Sequence, residues 1–151
     1  GLGVGCGMAL SAKKNKESWN TFVVMGDGEC QEGSIWEALM FASKHKLDNL
    51  IGIIDRNKLG STEFTENNAP LEPFKKKFIN FGCEVHEVDG HDIFGLIKLF
   101  KKLRIKKNKK PKIVICNTIK GKGVSFMENS KLWHHQLPNK DQTIKAFKEL
   151  K

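Results

Sequence analysis

"TFVVMGDGECQEGSIWEAL", residues 21–39, decides how the chain folds. Its first half is an unbroken apolar run without polar alternation, the pattern of a strand buried on both faces of a parallel sheet. The run stops at Gly26-Asp27-Gly28, and the residues after it change to helical spacing. Ser34 with Glu37 predicts a capping box at the start of that helix, with Lys44, His45 and Lys46 at its end. An acid held between two glycines where a strand gives way to a helix needs an explanation.

Working outward, the same alternation of elements continues. "GLGVGCGMALSAKKNK" (1–16) predicts a helix with glycines on one face, for close approach to a neighbour. "LIGII" (50–54) is a second buried strand, followed by a polar loop. "LEPFKKKFINF" (71–81) is a short amphipathic helix, and "CEVHEV" (83–88) alternates like a strand. "DIFGLIKLFKKLRIKK" (92–107) is a helix with Asp92 near its start, "KIVICN" (112–117) a fourth strand, and "DQTIKAFKEL" (141–150) a terminal helix. Strands separated by helices imply an α/β fold: a parallel sheet with helices on both faces and right-handed crossovers. No internal repeat or linker divides it, so residues 1–151 read as one domain.

Composition narrows the function. The chain has 151 residues, 39% of them hydrophobic, which is enough for a packed core. No apolar run is long enough for a membrane span, no secretory signal is recognisable, and a cytoplasmic protein is expected. Cys6, Cys30, Cys83 and Cys116 show neither CxxC nor zinc spacing and read as reduced thiols. The net charge of +9 is concentrated in "KKK" (75–77) and "KKLRIKKNKKPK" (101–112), the latter read as a solvated helix end and loop. Aromatic residues of the kind that stack on bases are not interleaved with it, so no nucleic-acid partner is expected.

Ligands of parallel sheets bind at the carboxyl ends of the strands. Asp27 falls there after the first strand and Asn57 after the second, 30 positions on (57 − 27). A carboxylate and an amide oxygen are hard ligands that suit Mg²⁺ or Ca²⁺. Gly26 and Gly28 would let backbone amides approach a diphosphate, beside a helix amino end that favours negative charge. Read alone, GDG is also an ordinary turn.

"GDGECQEGSIWEA" followed by "DRNKLG" resembles the thiamine-diphosphate motif of the transketolase family, in particular the amino-terminal subunit of split transketolases. "GLGVGCGMALSAK", "VDGHD" (88–92), "TIKGKGVSFMEN" (118–129) and "WHHQLP" (133–138) match it in order and spacing. The resemblance implies a thiamine-diphosphate-binding fold that lacks its amino-terminal part. It implies Asp27, Asn57 and the Leu59 carbonyl as Mg²⁺ ligands, Gly26 and Gly28 against the diphosphate, and Leu59 and Ser61 along the cofactor. Glu32 would join a carboxylate network between subunits. His134 would stand at the cofactor's reactive end and move protons to and from substrate hydroxyls. His135 departs from the family, which has glycine there. His91, in "VDGHD", reads as structural, and His45 and His86 carry no role.

The resemblance further implies transfer of a two-carbon ketol unit from a ketose phosphate to an aldose phosphate, in the pentose phosphate pathway. The partner would be a carboxy-terminal subunit or domain with the pyrimidine-binding fold, in a homodimer or heterotetramer, and the chain alone would be inactive. The alternatives are another thiamine-diphosphate enzyme, such as 1-deoxyxylulose-5-phosphate synthase, or a non-catalytic basic remnant of the fold.

Overall fold

The computed structural model describes all 151 residues. Four strands, β1 (Thr21–Gly26), β2 (Leu50–Arg56), β3 (Glu84–Asp89) and β4 (Lys112–Asn117), form one sheet in the order β1-β2-β4-β3, and every pair is parallel. The helices are α1 (Leu2–Lys14), α2 (Gly33–Lys44), α3 (Thr65–Asn68), α4 (Phe74–Asn80), α5 (Ile93–Ile105) and α6 (Lys140–Glu149). The expected α/β fold is therefore the observed one.

Strand alternation sends side chains to two unequal cores. On one face Met25, Leu50, Ile54, Ile113 and Ile115 pack with residues of α1, α2 and α4 in a cluster of 18 buried residues. On the other, Ile51, Val114 and Cys116 meet Leu103 of α5. Trp36 stacks on Phe78 at 5.1 Å between ring centroids and ties α2 to α4. All four cysteines are free and buried, and burial pushes the Cys30 and Cys83 thiols up to about 12.

Several local expectations are corrected. The capping box at Ser34 is absent: α2 starts at Gly33, its N-cap is Glu32, and the Ser34 hydroxyl turns back to the Glu32 carboxylate. Gly28–Gln31 form a short 3-10 helix, so the α2 amino end lies downstream of the GDG turn rather than immediately behind it. The glycines of α1 do not share a face, because a spacing of two places successive residues about 200° apart around a helix. Only Gly5 is crowded, a Cβ there falling 2.4 Å from Val23, whereas Gly3 and Gly7 have open space. Lys112 is fully buried instead of solvated, and its ammonium donates to the carbonyls of Asp48 and Lys106. The polar loop after β2 contains α3, a helix too short to leave a periodic signal.

Candidate functional site

Parallel pairing of β1 with β2 puts Gly26 opposite Asp55, so the two polar corners begin at the same height of the sheet. The Asp27 amide donates to the Asp55 carbonyl at 3.2 Å, and the Lys58 amide donates to Asp27 Oδ2 at 2.7 Å. Asp27 is thus bonded to the chain on both sides of Asn57. Lys58 holds a left-handed backbone, φ 65°, which turns the chain sharply after Asn57. Such conformations cost energy and gather at ligand clamps. The Asn57 amide donates to Asp55 at 3.1 Å, and its carbonyl accepts from the Leu59 amide at 2.9 Å. Leu59 is buried and its backbone carbonyl accepts no backbone hydrogen bond.

Asp27 is 1% exposed, and what compensates its charge is a residue that does not stand out in the sequence. Arg56, 3% exposed, donates from Nη1 to Asp27 Oδ2 and to the Thr65 hydroxyl, both at 2.9 Å. From Nη2 it reaches Glu66 at 2.9 Å and Glu72 at 3.0 Å, and its guanidinium lies 5.0 Å from the Phe74 ring centroid. Burial alone would lower the Arg56 pKa, but its hydrogen bonds to Glu66, Asp27 and Glu72 raise it further. Desolvation works to raise the Glu66 carboxyl, yet bonds from Arg56 and the Glu72 and Leu71 amides hold it below the usual range. One signal in the sequence could have found Arg56. A cation at the inward-facing end of a buried strand, level with a buried acid on the neighbouring strand, is there to pair with it.

The donor set fits a hard divalent cation. Asp27 Oδ1 accepts only from the Gly28 amide, at 2.9 Å, and so keeps a free lone pair. The Asn57 oxygen keeps one beside its bond to Leu59, and the Leu59 carbonyl is available. A Cβ on Gly26 would meet nothing within 4 Å, so space for an anionic group adjoins the corner. The Gly28 amide, by contrast, is spent on Asp27.

The remaining expected residues lie apart from this corner. Glu32 is exposed and Ser61 is exposed in the loop after β2. Ser61 and Thr62 face Ser130, Lys131, Leu132, His135 and Gln136 across a cleft of about 570 Å³. His135, rather than His134, lines that cleft. His134 is exposed at the end of a 3-10 helix, its ring 4.7 Å from that of His135. Desolvation, then the Lys120 and His135 charges, hold its pKa below the ordinary histidine value. Nothing in the sequence marks Lys120, yet it sits close enough to bias this histidine toward its neutral form. The loop is anchored by Trp133 Nε1 donating to the Phe126 carbonyl at 2.8 Å and by Lys131 meeting Glu63 at 3.0 Å. His91 is a structural link, its Nε2 accepting from the Ile119 amide at 2.8 Å.

An all-parallel sheet with an acid and an amide at adjoining carboxyl ends defines the class: an α/β domain that seats its ligand at a strand-end crevice. The family model "Transketolase, thiamine diphosphate binding domain" matches residues 6–150, and the chain belongs to the transketolase family. It is 45% identical over 150 residues to one subunit of the apulose-4-phosphate transketolase of Phocaeicola vulgatus, covering 99% of this chain and 53% of that protein. It is 36% identical over 151 residues to human transketolase, of which it covers 24%. The crystal structure of transketolase from Campylobacter jejuni superposes with a TM-score of 0.89 at 30% identity, over 99% of this chain and 24% of that one. The chain thus spans about half the length of the apulose-4-phosphate transketolase relative and about a quarter of the longer transketolases.

Proposed function

We propose that the chain is the diphosphate-binding part of a thiamine-diphosphate- and Mg²⁺-dependent transketolase of the split type. The observation that carries this reading is the corner where Asp27, Asn57 and Leu59 present hard oxygens at the ends of adjacent parallel strands, in a chain of this family. Asp27 Oδ1, Asn57 Oδ1 and the Leu59 carbonyl would hold Mg²⁺, with the diphosphate entering over Gly26. Thiamine diphosphate, when bound, supplies a nucleophilic carbon and an electron sink for breaking a carbon–carbon bond in a ketose phosphate. The chain's residues then bind, orient and move protons. A ring nitrogen of His134, whose pKa desolvation and then the Lys120 and His135 charges hold below the ordinary histidine value, can take a proton from a substrate hydroxyl and return it. Ser61 and Leu59 would line the cofactor, and Glu32, exposed, is free to meet a second protomer.

The partner is a carboxy-terminal subunit or domain with the pyrimidine-binding fold, joined in a homodimer or heterotetramer. Two relatives at 45% identity are themselves single subunits of apulose-4-phosphate transketolases, which supports a two-subunit arrangement. The basic-remnant alternative loses ground because part of the lysine tract is occupied internally: Lys106 pairs with Glu84 at 2.7 Å, and the buried Lys112 ammonium donates to the Asp48 and Lys106 carbonyls.

Titration calorimetry with Mg²⁺ and thiamine diphosphate tests the reading, with and without the partner. The chain alone is expected to bind weakly and to be inactive, and the assembly to bind tightly. Ketol transfer between ketose and aldose phosphates, apulose 4-phosphate among the donors, is expected of the assembly. Pyruvate decarboxylation in place of ketol transfer would favour a 1-deoxyxylulose-5-phosphate synthase.

A further inference from the structure

The loop that carries His134 is bonded to itself and joined to the sheet at its root. Beyond Thr118, the Lys122, Val124 and Met127 amides donate back to the Ile119, Gly121 and Val124 carbonyls. The Asn129 amide returns to the Lys120 carbonyl at 3.0 Å, and the 3-10 helix Lys131–His134 begins two residues later. What fixes residues 118–120 therefore fixes the limb that leads to His134. Thr118 donates from its amide to the Arg56 carbonyl and from its hydroxyl to the Asp55 carboxylate. The Ile119 amide has a different partner, a side chain 28 positions upstream: it donates to His91 Nε2 at 2.8 Å. The turn before α5 is shaped to deliver that ring. Asp89 Oδ1 accepts from the His91 amide at 2.8 Å, and Gly90 lies so close that a Cβ there would collide with the Thr118 methyl group.

We infer that His91 is a positioning residue: as a neutral acceptor it sets the Ile119 peptide and, through it, the loop that presents His134, and it releases that loop when it takes up a proton. A backbone amide only donates, so Nε2 is the unprotonated ring nitrogen, and a neutral His91 carries its proton on Nδ1. A protonated ring would aim one N–H at another and lose the bond. The charged groups around the ring are Asp89 and Asp92 on its own turn, Asp55 at the end of β2, which holds Thr118, and Lys120 on the loop. Of the side chains gathered there, only His91 accepts from the Ile119 amide. The effect on catalysis rests on the reading of His134 given above, whereas the attachment of the loop is measurable without it.

The test is amide hydrogen exchange by NMR on the full chain, with the His134 ring resonances followed in parallel, in wild type, His91→Gln and His91→Phe. Glutamine places a carbonyl oxygen near the position of Nε2 and does not titrate, while phenylalanine keeps a flat ring that accepts nothing. In wild type the Ile119 protection factor is expected to fall roughly three- to ten-fold as the ring is protonated, the loss of one hydrogen bond. His91→Phe is expected to show that loss at every pH and to shift the His134 resonances. His91→Gln is expected to keep the protection and to lack the fall in acid. In the assembly, kcat for ketol transfer should drop by a similar factor in His91→Phe and return in His91→Gln. Protection and His134 resonances in His91→Phe equal to wild type overturn the inference. If phenylalanine prevents folding, glutamine decides: a fall in acid as large as in wild type overturns it equally. The expected exchange pattern in a chain whose assembly transfers no ketol unit leaves the role of His91 in the loop standing and removes the proposed function instead.

Discussion

The two regions that the proposed reaction would use are built in opposite ways. The Asp27 corner is buried, crossed by a four-acceptor guanidinium and bonded to the backbone at residues 28, 55 and 58. The 131–136 loop is largely exposed, and its two histidines are held in place through Trp133 and Lys131 rather than by bonds of their own. An anchor for a diphosphate must be stiff before the ligand arrives, since ordering it on binding would cost affinity. A proton-handling group needs access to substrate, and access costs packing. The contrast therefore separates holding from chemistry, and each side can be attacked alone.

The largest effect is expected at the anchor. Asp27→Ala removes one of the three carboxylates that meet Arg56, at a buried position, and should cost about 1.5–3 kcal/mol of stability, as loss of a charged hydrogen bond does. It should also abolish cofactor binding in the assembly. Denaturant unfolding and calorimetry measure the two losses. A stability loss within experimental error would mean that the corner is not the rigid half of the pair.

Trp133→Ala tests the other side. It removes the indole bond to Phe126 O and an edge-to-face ring contact at 5.3 Å. The expected loss is about 1–2 kcal/mol, since the site is only partly buried. Ketol transfer should fall while metal binding stays as in wild type. If metal binding falls too, the two regions are mechanically one.

The buried frame was legible in the sequence and the corner's inner wiring was not, for physical reasons. The apolar run 50–54 marks β2, which is covered on both faces, but the run 22–25 misled in part: β1 is an edge strand whose Thr21 and Met25 are buried while Phe22 and Val24, on its other face, are exposed. The α5 cap at Asp92 is as expected, accepting from the Gly95 amide at 3.0 Å. Asp27 and Asn57 stood out because strand ends carry the ligands of such sheets. Arg56, inside "DRNKLG", did not, because its partners Thr65, Glu66 and Glu72 come from a segment without periodicity. Lys112 misled for a related reason: a lysine in a basic run reads as solvated until three-dimensional proximity supplies the carbonyls that bury it. Local rules also failed at Ser34, where Gly33 starts the helix two residues early and uncouples the capping pair.

His134→Ala should leave stability within about 0.5 kcal/mol, as surface substitutions do. In the assembly it should lower ketol transfer by roughly 10²–10⁴-fold if the histidine moves the proton. Its titration sharpens the point. With a folded pKa below the unfolded value, the neutral ring is favoured by the fold; that contribution is present above the unfolded pKa and fades as pH falls through the folded one. NMR of the ring protons should therefore give a midpoint below the ordinary histidine value, and Lys120→Ala should raise it. A midpoint unmoved by Lys120→Ala would leave desolvation as the main cause.

The smallest effect is expected at the opposite end of the sheet. Lys106 pairs with Glu84 at the amino-terminal start of β3, away from the carboxyl ends where Asp27 and Asn57 lie. Desolvation works to raise the Glu84 carboxyl, but Lys106 and His86 hold it below the usual range. Because Lys106 is 40% exposed, solvent screening leaves the pair only about 0.5 kcal/mol, and Lys106→Ala should cost no more. What it does cost should fade with acid, since a lowered carboxyl contributes above its unfolded pKa and stops contributing once protonated. Thermal unfolding at neutral and acidic pH reads this directly, and calorimetry should find cofactor affinity unaltered. A loss of affinity from Lys106→Ala matching that from Asp27→Ala would mean that the site does not lie at the strand carboxyl ends, because Lys106 pairs with the first residue of β3, at the other end of a sheet whose strands are all parallel.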